Sequence, residues 1–117
     1  DAISLGTNTA VLTCLGNDVG YDNIYSEQLA VSGRADDILI VLSGSGNSQN
    51  IINAIHMAQS QGMRTAALLG FDGGVCKQIV DLPLHFNVSN MQIAEDLQLI
   101  IGHMMMKWLK KEIASTI

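Results

Sequence analysis

Residues 37–55, DILIVLSGSGNSQNIINAI, decide the fold of this chain. An apolar run over 38–42 meets a Ser/Gly-rich turn over 43–48, and a helical pattern follows at once. Strand, tight turn and helix in that order make one arm of an α/β unit. The turn leaves hydroxyls and unpaired N–H groups at a helix N-terminus, where hydrogen bonding and the helix dipole both favour an anion. The first helical turn, 49–52, carries no Asp or Glu, although helix starts favour them. An external phosphate would supply that charge. A Ser-capped helix behind a glycine turn is the plainer alternative, and Ser and Gly alone do not exclude it. The order of strand, turn and helix favours anion binding.

The same stretch excludes two common phosphate binders. A nucleotide P-loop requires Gly-Lys-Ser/Thr, and no Lys lies between Arg34 and Arg64. The dinucleotide fingerprint requires a third glycine where Gln49 stands, after Gly44 and Gly46. A cradle of neutral hydroxyls suits a phosphomonoester on a small molecule, and a sugar phosphate is the natural candidate.

Working outward, residues 2–5, 38–42, 65–69 and 84–88 read as buried parallel strands with helical patterns between them. The helices are expected over 8–15, 22–32, 48–61, 75–80 and 91–113, with Gly62 closing the third and Gly73-Gly74 preceding the fourth. The chain is at most one domain of 117 residues, 48% hydrophobic and only 15% charged, so a substantial core is expected. Net charge is −5 and three of the six Lys and Arg (Lys107, Lys110, Lys111) crowd the C-terminal turns, which argues against a nucleic-acid surface. No apolar run approaches a membrane span of ~20 residues. Cys14 and Cys76 lack CxxC spacing and read as buried reduced thiols, which fits a reducing cytosol. The chain opens at Asp1 on a strand-like segment and its first Met is Met57, so a preceding segment is expected.

The last helix carries Leu97, Ile100, Met104 and Trp108 at spacings of three and four, with Leu99, Ile101 and Met105 widening the apolar surface. A helix apolar on two sides points to oligomerisation. Asp96 and His103 lie seven apart, within ~20° of one face, and Glu95 sits nearer that face's edge, ~80° from His103. A structural Asp–His pair is the default reading of these residues. His56 reads as a surface or boundary residue, and His85 as a structural group beginning a strand. Asn17 and Asp18, between Gly16 and Gly20, fit either a turn pair or hydroxyl-binding groups.

With these pieces assembled, the chain resembles the sugar isomerase (SIS) domain family, most closely its phosphoheptose isomerase branch. The resemblance rests on LGNDVGY (15–21), DDILIVLSGSGNSQNIINAI (36–55), the GM…LLGFDGG run (62–74) and DLQLIIGHMM (96–105). It implies a three-layer α-β-α sandwich with a parallel, flavodoxin-like sheet, a single SIS domain over 1–117. It assigns the phosphate-binding loop to Ser43, Gly44, Ser45, Asn47 and Ser48, and substrate contacts to Asn17 and Asp18. It makes His103 the catalytic histidine, with Asp96 to orient or tune it. Gln92 and Glu95 stand near the family's Asp and Gln before the last helix's active face, and Gln98 where a second His often occurs. No cofactor is required, although zinc is possible through Glu95 and His103, as in some relatives.

The branch carries an N-terminal helix, a first strand, a glycine-rich turn and a further helix before the position of Ala2, and that part holds its catalytic glutamate. The implied activity is aldose–ketose isomerisation of a heptose 7-phosphate through an ene-diol, for lipopolysaccharide heptose biosynthesis, by a cytoplasmic homotetramer whose sites form between subunits. The rival is a non-catalytic SIS module that binds a sugar phosphate, or a protein partner, and regulates.

Overall fold

The computed structural model describes residues 1–116. Three parallel strands, β1 (Ile38–Ser43), β2 (Arg64–Leu69) and β3 (Leu82–His85), pair in the order β1-β2-β3. Registers run from Ile38 opposite Arg64 to Ser43 opposite Leu69, and from Ala66 opposite Leu82 to Leu69 opposite His85. The helices are α1 (Thr9–Asp18), α2 (Ser26–Ser32), α3 (Gln49–Ser60), α4 (Cys76–Ile79) and α5 (Met91–Thr116), with a 3₁₀ turn at Tyr21–Asn23. Among the described residues no helix is long and apolar enough to cross a membrane.

β1 alternates strictly. Leu39, Val41 and Ser43 are buried, whereas Ile38, Ile40 and Leu42 are exposed. Leu39 and Val41 join Ala67 and Leu69 of β2 under Ala54, Ile55 and Ala58 of α3, and this cluster is the core. Cys76 of α4 closes the same layer. α5 covers the opposite face of β2. A Cβ placed on Gly70, the residue after Leu69, would lie 2.7 Å from Ala94 Cβ, and Gln98 Nε2 donates to the Leu68 carbonyl at 3.3 Å. Consecutive strand residues point to opposite faces, so α3 and α4 on one side and α5 on the other give three layers.

Several boundaries differ from the sequence expectation. Residues 2–5 form no strand. A strand needs a ladder partner, and β1, at one end of the sheet, pairs only with β2. Leu5 instead packs on the core's edge, and its carbonyl accepts from Gln28 Nε2 at 3.2 Å. The strand expected over 84–88 is β3, two residues earlier. It includes Pro83, which is tolerated there because β3 is the opposite edge of the sheet. His85 therefore ends a strand rather than beginning one. The helix expected over 8–15 is capped by Asn8, whose side chain accepts from Val11 N–H at 3.2 Å, and runs on to Asp18. Gly16 does not stop it; the break comes at Gly20, with φ +87°. The expected 22–32 helix divides into the 3₁₀ turn and α2. Cys14, expected buried, is exposed, whereas Cys76 is buried.

Candidate phosphate site and the last helix

The Ser/Gly turn is shaped by its own hydroxyls. Ser43 is buried, and its Oγ accepts the Gly46 N–H at 3.0 Å. Gly46 holds φ +67°, a left-handed conformation that a side chain disfavours. Ser45 Oγ accepts the Asn47 N–H at 3.2 Å. Ser48 is the N-cap of α3, yet its side chain makes no capping bond; only its carbonyl is used, by Ile51 and Ile52 N–H at 3.1 and 3.0 Å. The exposed Ser48 hydroxyl and the Gln49 and Asn50 N–H groups are unspent, whereas the Ile51 N–H also reaches Asn50 Oδ1 at 2.9 Å. No acid occupies the first turn of α3, so the helix's own sequence leaves its positive end uncompensated. Hydroxyl and amide donors converging on a helix N-terminus are what an oxyanion needs.

Two other segments press on this turn. The loop after β2 is stitched to it by Gly70 N–H to Gly44 O and Cys76 N–H to Gly46 O, each at 3.0 Å. A Cβ on Gly46 would collide with the Gly73 carbonyl, and one on Gly44 with the Met91 thioether. Met91 opens α5, so the last helix begins against the Ser/Gly turn. Beside the loop lies a recess of about 480 Å³ lined by Asn47, Asp72, Gly74, Val75, Lys77 and Gln78.

The structure thus gathers Ser43, Gly44, Ser45, Asn47 and Ser48 into one turn, with the opening turns of α5 beside it. Gln92 and Glu95 lie on those turns and are exposed. Asn17 and Asp18 end α1, which packs on the 3₁₀ turn. Their side chains bond each other, Asn17 Nδ2 to Asp18 Oδ1 at 2.8 Å. That bond, and then the Cys14 thiol donating to Asp18 Oδ2 at 3.4 Å, hold the Asp18 carboxyl below its ordinary range. The same carboxylate, as acceptor and as neighbouring charge, pushes the Cys14 thiol up. Asp96 and His103 are both exposed on α5. Seven residues put them ~10 Å apart along the axis, so they share a face without meeting. Glu95 and His103 are ~12 Å apart by the same rise. Among the described residues no three metal-ligating side chains cluster, and these two alone do not make a zinc site, which takes three or four ligands.

His103 stands twelve residues beyond Met91, ~18 Å down the axis from the Ser/Gly turn. The part of α5 around and beyond it leaves Ile100, Met104, Met106, Trp108, Leu109 and Ile113 exposed, with Trp108 at 60%. An apolar recess of about 720 Å³ runs along it from Gly102 to Ala114. In sequence the 70–76 loop shows as a Gly-Gly pair before a helix and as part of the run over 62–74; nothing local reveals that it braces the Ser/Gly turn.

This geometry agrees with what the chain resembles as a whole. The SIS domain family model matches residues 2–70. The chain belongs to the SIS domain family. The phosphoheptose isomerase of Sulfurimonas denitrificans is 42% identical over 112 residues, 96% of this chain and 57% of that protein. That of Pelodictyon phaeoclathratiforme is 41% identical over 111 residues, 94% of this chain and 53% of that protein. The phosphoheptose isomerase structure from Neisseria gonorrhoeae superposes with a TM-score of 0.92 at 34% identity, over 94% of this chain and 61% of that one. The one from Francisella tularensis gives 0.85 at 33% identity, over 87% and 55%. The SIS domain described here spans about half the length of the curated relatives it matches.

Proposed function

We propose that this SIS domain anchors the phosphate of a heptose 7-phosphate and supplies the imidazole for its aldose–ketose isomerisation. The observation that carries the proposal is the Ser43–Ser48 turn. Its buried Ser43, its left-handed Gly46 and the unspent Ser48 hydroxyl face an uncompensated helix N-terminus. The names of the relatives supply the sugar.

From the ketose, a base takes a proton from C1 while an acid protonates the C2 oxygen, giving an ene-diol. Return of a proton to C2, with loss of one from the C1 hydroxyl, gives the aldose. The imidazole of His103 can give or take a proton at its ring nitrogens and suits one of these roles. The second group is expected from the family segment that precedes the position of Ala2. No metal enters the proposed step. Fixing the phosphate lets its binding energy hold C1 and C2 against the acid and base.

Reach supports a site shared between copies. An extended seven-carbon phosphate spans about 10 Å at the advance per bond of an extended chain, less than the ~18 Å from Met91 to His103 along α5. The exposed apolar half of α5 that carries His103 is suited to a second copy, and a homotetramer would pair each loop with a neighbour's helix.

The test is incubation of this chain, joined to the segment that precedes the position of Ala2 in the family, with sedoheptulose 7-phosphate in deuterated water, followed by NMR, beside a His103→Ala variant. Deuterium entering the sugar, and absent with the variant, is the expected result. Ser43-dependent binding without exchange in that joined chain would sink the isomerase assignment.

A further inference from the structure

We propose that Asn47 is a positioning residue rather than a phosphate ligand: its amide latches the phosphate loop to the 70–76 loop and fixes the Ser45–Gly46 peptide plane. This rests on the reading of the turn as a phosphate site. Both ends of the Asn47 amide are occupied. Nδ2 donates to the Ser45 carbonyl at 3.2 Å, and Oδ1 accepts the Val75 N–H at 3.0 Å. The two backbone bonds that stitch the loops, Gly70 to Gly44 and Cys76 to Gly46, leave the intervening peptide unheld. Two side chains hold it, Ser43 at its N–H and Asn47 at its carbonyl.

That peptide is gripped from both sides. Its N–H, on Gly46, points to Ser43 Oγ at 3.0 Å, and its carbonyl, on Ser45, points to Asn47. A trans peptide sets its carbonyl and N–H in opposite directions, so the two bonds define one orientation. Without Asn47 the plane is held only from Ser43, and rotation turns a carbonyl oxygen toward Ser43 in place of the N–H. Ser43 would then donate its one hydroxyl proton to that carbonyl and no longer offer it to an anion.

The far side of the latch is stiff. Asp72 Oδ1 accepts the Gly74 N–H at 3.0 Å, and Gly73 N–H donates to the Gly70 carbonyl at 2.9 Å. His85 Nε2 lies 2.9 Å from the Phe71 carbonyl; a carbonyl only accepts, so this nitrogen carries the proton. Contact is close, since a Cβ on Gly74 would lie 2.5 Å from the Ser45 carbonyl and 2.6 Å from Asn47 Oδ1.

Val75 makes the inference testable. Its φ of −63° is what proline imposes, so Val75→Pro keeps the local φ while it deletes the N–H that Asn47 accepts. Inorganic phosphate is titrated calorimetrically into the chain and into Asn47→Ala, Val75→Pro, the double variant and Ser48→Ala, each checked by thermal melting. Ser48→Ala removes a hydroxyl that bonds nothing within the protein and reports the site itself. Asn47→Ala is expected to weaken phosphate binding about tenfold, the effect of one or two lost hydrogen bonds. Val75→Pro should weaken it similarly, and the double variant no further. Fully additive effects would overturn the latch and make Asn47 a direct ligand. Loss with Ser48→Ala but not with Asn47→Ala would overturn the latch and leave the site standing. No phosphate binding by the unaltered chain, or none that depends on Ser48, would overturn the site and the latch together.

Discussion

Gly46→Ala tests how tightly the phosphate loop is built. Two separate terms oppose the new methyl group. Gly46 sits at φ +67°, where an L residue costs about 1–2 kcal/mol. Its Cβ would also overlap the Gly73 carbonyl, a backbone atom that cannot rotate away. Overpacking of this kind costs about 1–3 kcal/mol. Together they reach about 2–5 kcal/mol, a large part of the ~5–15 kcal/mol that holds a domain together. Gly62→Ala separates the two terms. Gly62 has φ +76°, but its Cβ would meet nothing closer than Ala35 Cβ at 3.6 Å, an ordinary contact. It should lose only the conformational ~1–2 kcal/mol. Denaturant unfolding of the three proteins gives both numbers, and the melting point of Gly46→Ala should fall by 10 °C or more at about 4–8 °C per kcal/mol. Equal destabilisation by the two variants would refute the claim that the loops are in steric contact at Gly46.

Other consequences follow from single groups. Asp81 Oδ2 accepts Thr65 N–H at 2.8 Å and Thr65 Oγ1 at 2.9 Å, and the backbone bond above all lowers its pKa. A carboxylate depressed on folding stabilises above its unfolded value of ~4, and that stabilisation is lost as pH falls through the folded value. The stability difference between pH 7 and pH 3, read from denaturant curves, should therefore shrink in Asp81→Asn. Iodoacetamide should label Cys14 and spare Cys76 in the folded protein, and Asp18→Asn should speed the labelling by removing the carboxylate that raises the Cys14 pKa. Trp108→Glu, on the exposed half of α5, should lower the mass seen by light scattering without lowering the melting point of the monomer.

What was legible in the sequence was local. Residues 38–42 and 48–61 are β1 and α3 to within a residue, because an apolar run, a glycine turn and a helical period all act over neighbouring positions. Ser43, Ser45 and Ser48 could be gathered from sequence for the same reason. Residues 2–5 have strand composition, yet composition cannot provide the ladder partner that a strand requires. Asn17 and Asp18 were placed in a turn by their flanking glycines, but Gly16 stays helical and only Gly20 turns the chain. The bond from Val75 to Asn47 crosses 28 positions, and no local pattern announces it. Face-sharing by Asp96 and His103 was correct by periodicity; their ~10 Å separation follows from rise, which periodicity leaves out.

That rise also decides the form of the final prediction. If His103 serves the phosphate loop of another copy, then a loop defect and a histidine defect lie in different parts of a shared site. Gly46→Ala and His103→Ala homo-oligomers should each fail to exchange deuterium into the sugar. Unfolded together and refolded as hybrids, about a quarter of the sites would combine an intact loop with an intact histidine, because the two halves are drawn independently. Exchange should therefore reappear at about a quarter of the unaltered rate, from two inactive parents. Were loop and histidine of one chain to act on one sugar, every site in the mixture would carry a defect, and mixing would restore nothing. The outcome rests on connectivity alone, so it holds whichever of the two proton-transfer roles His103 fills.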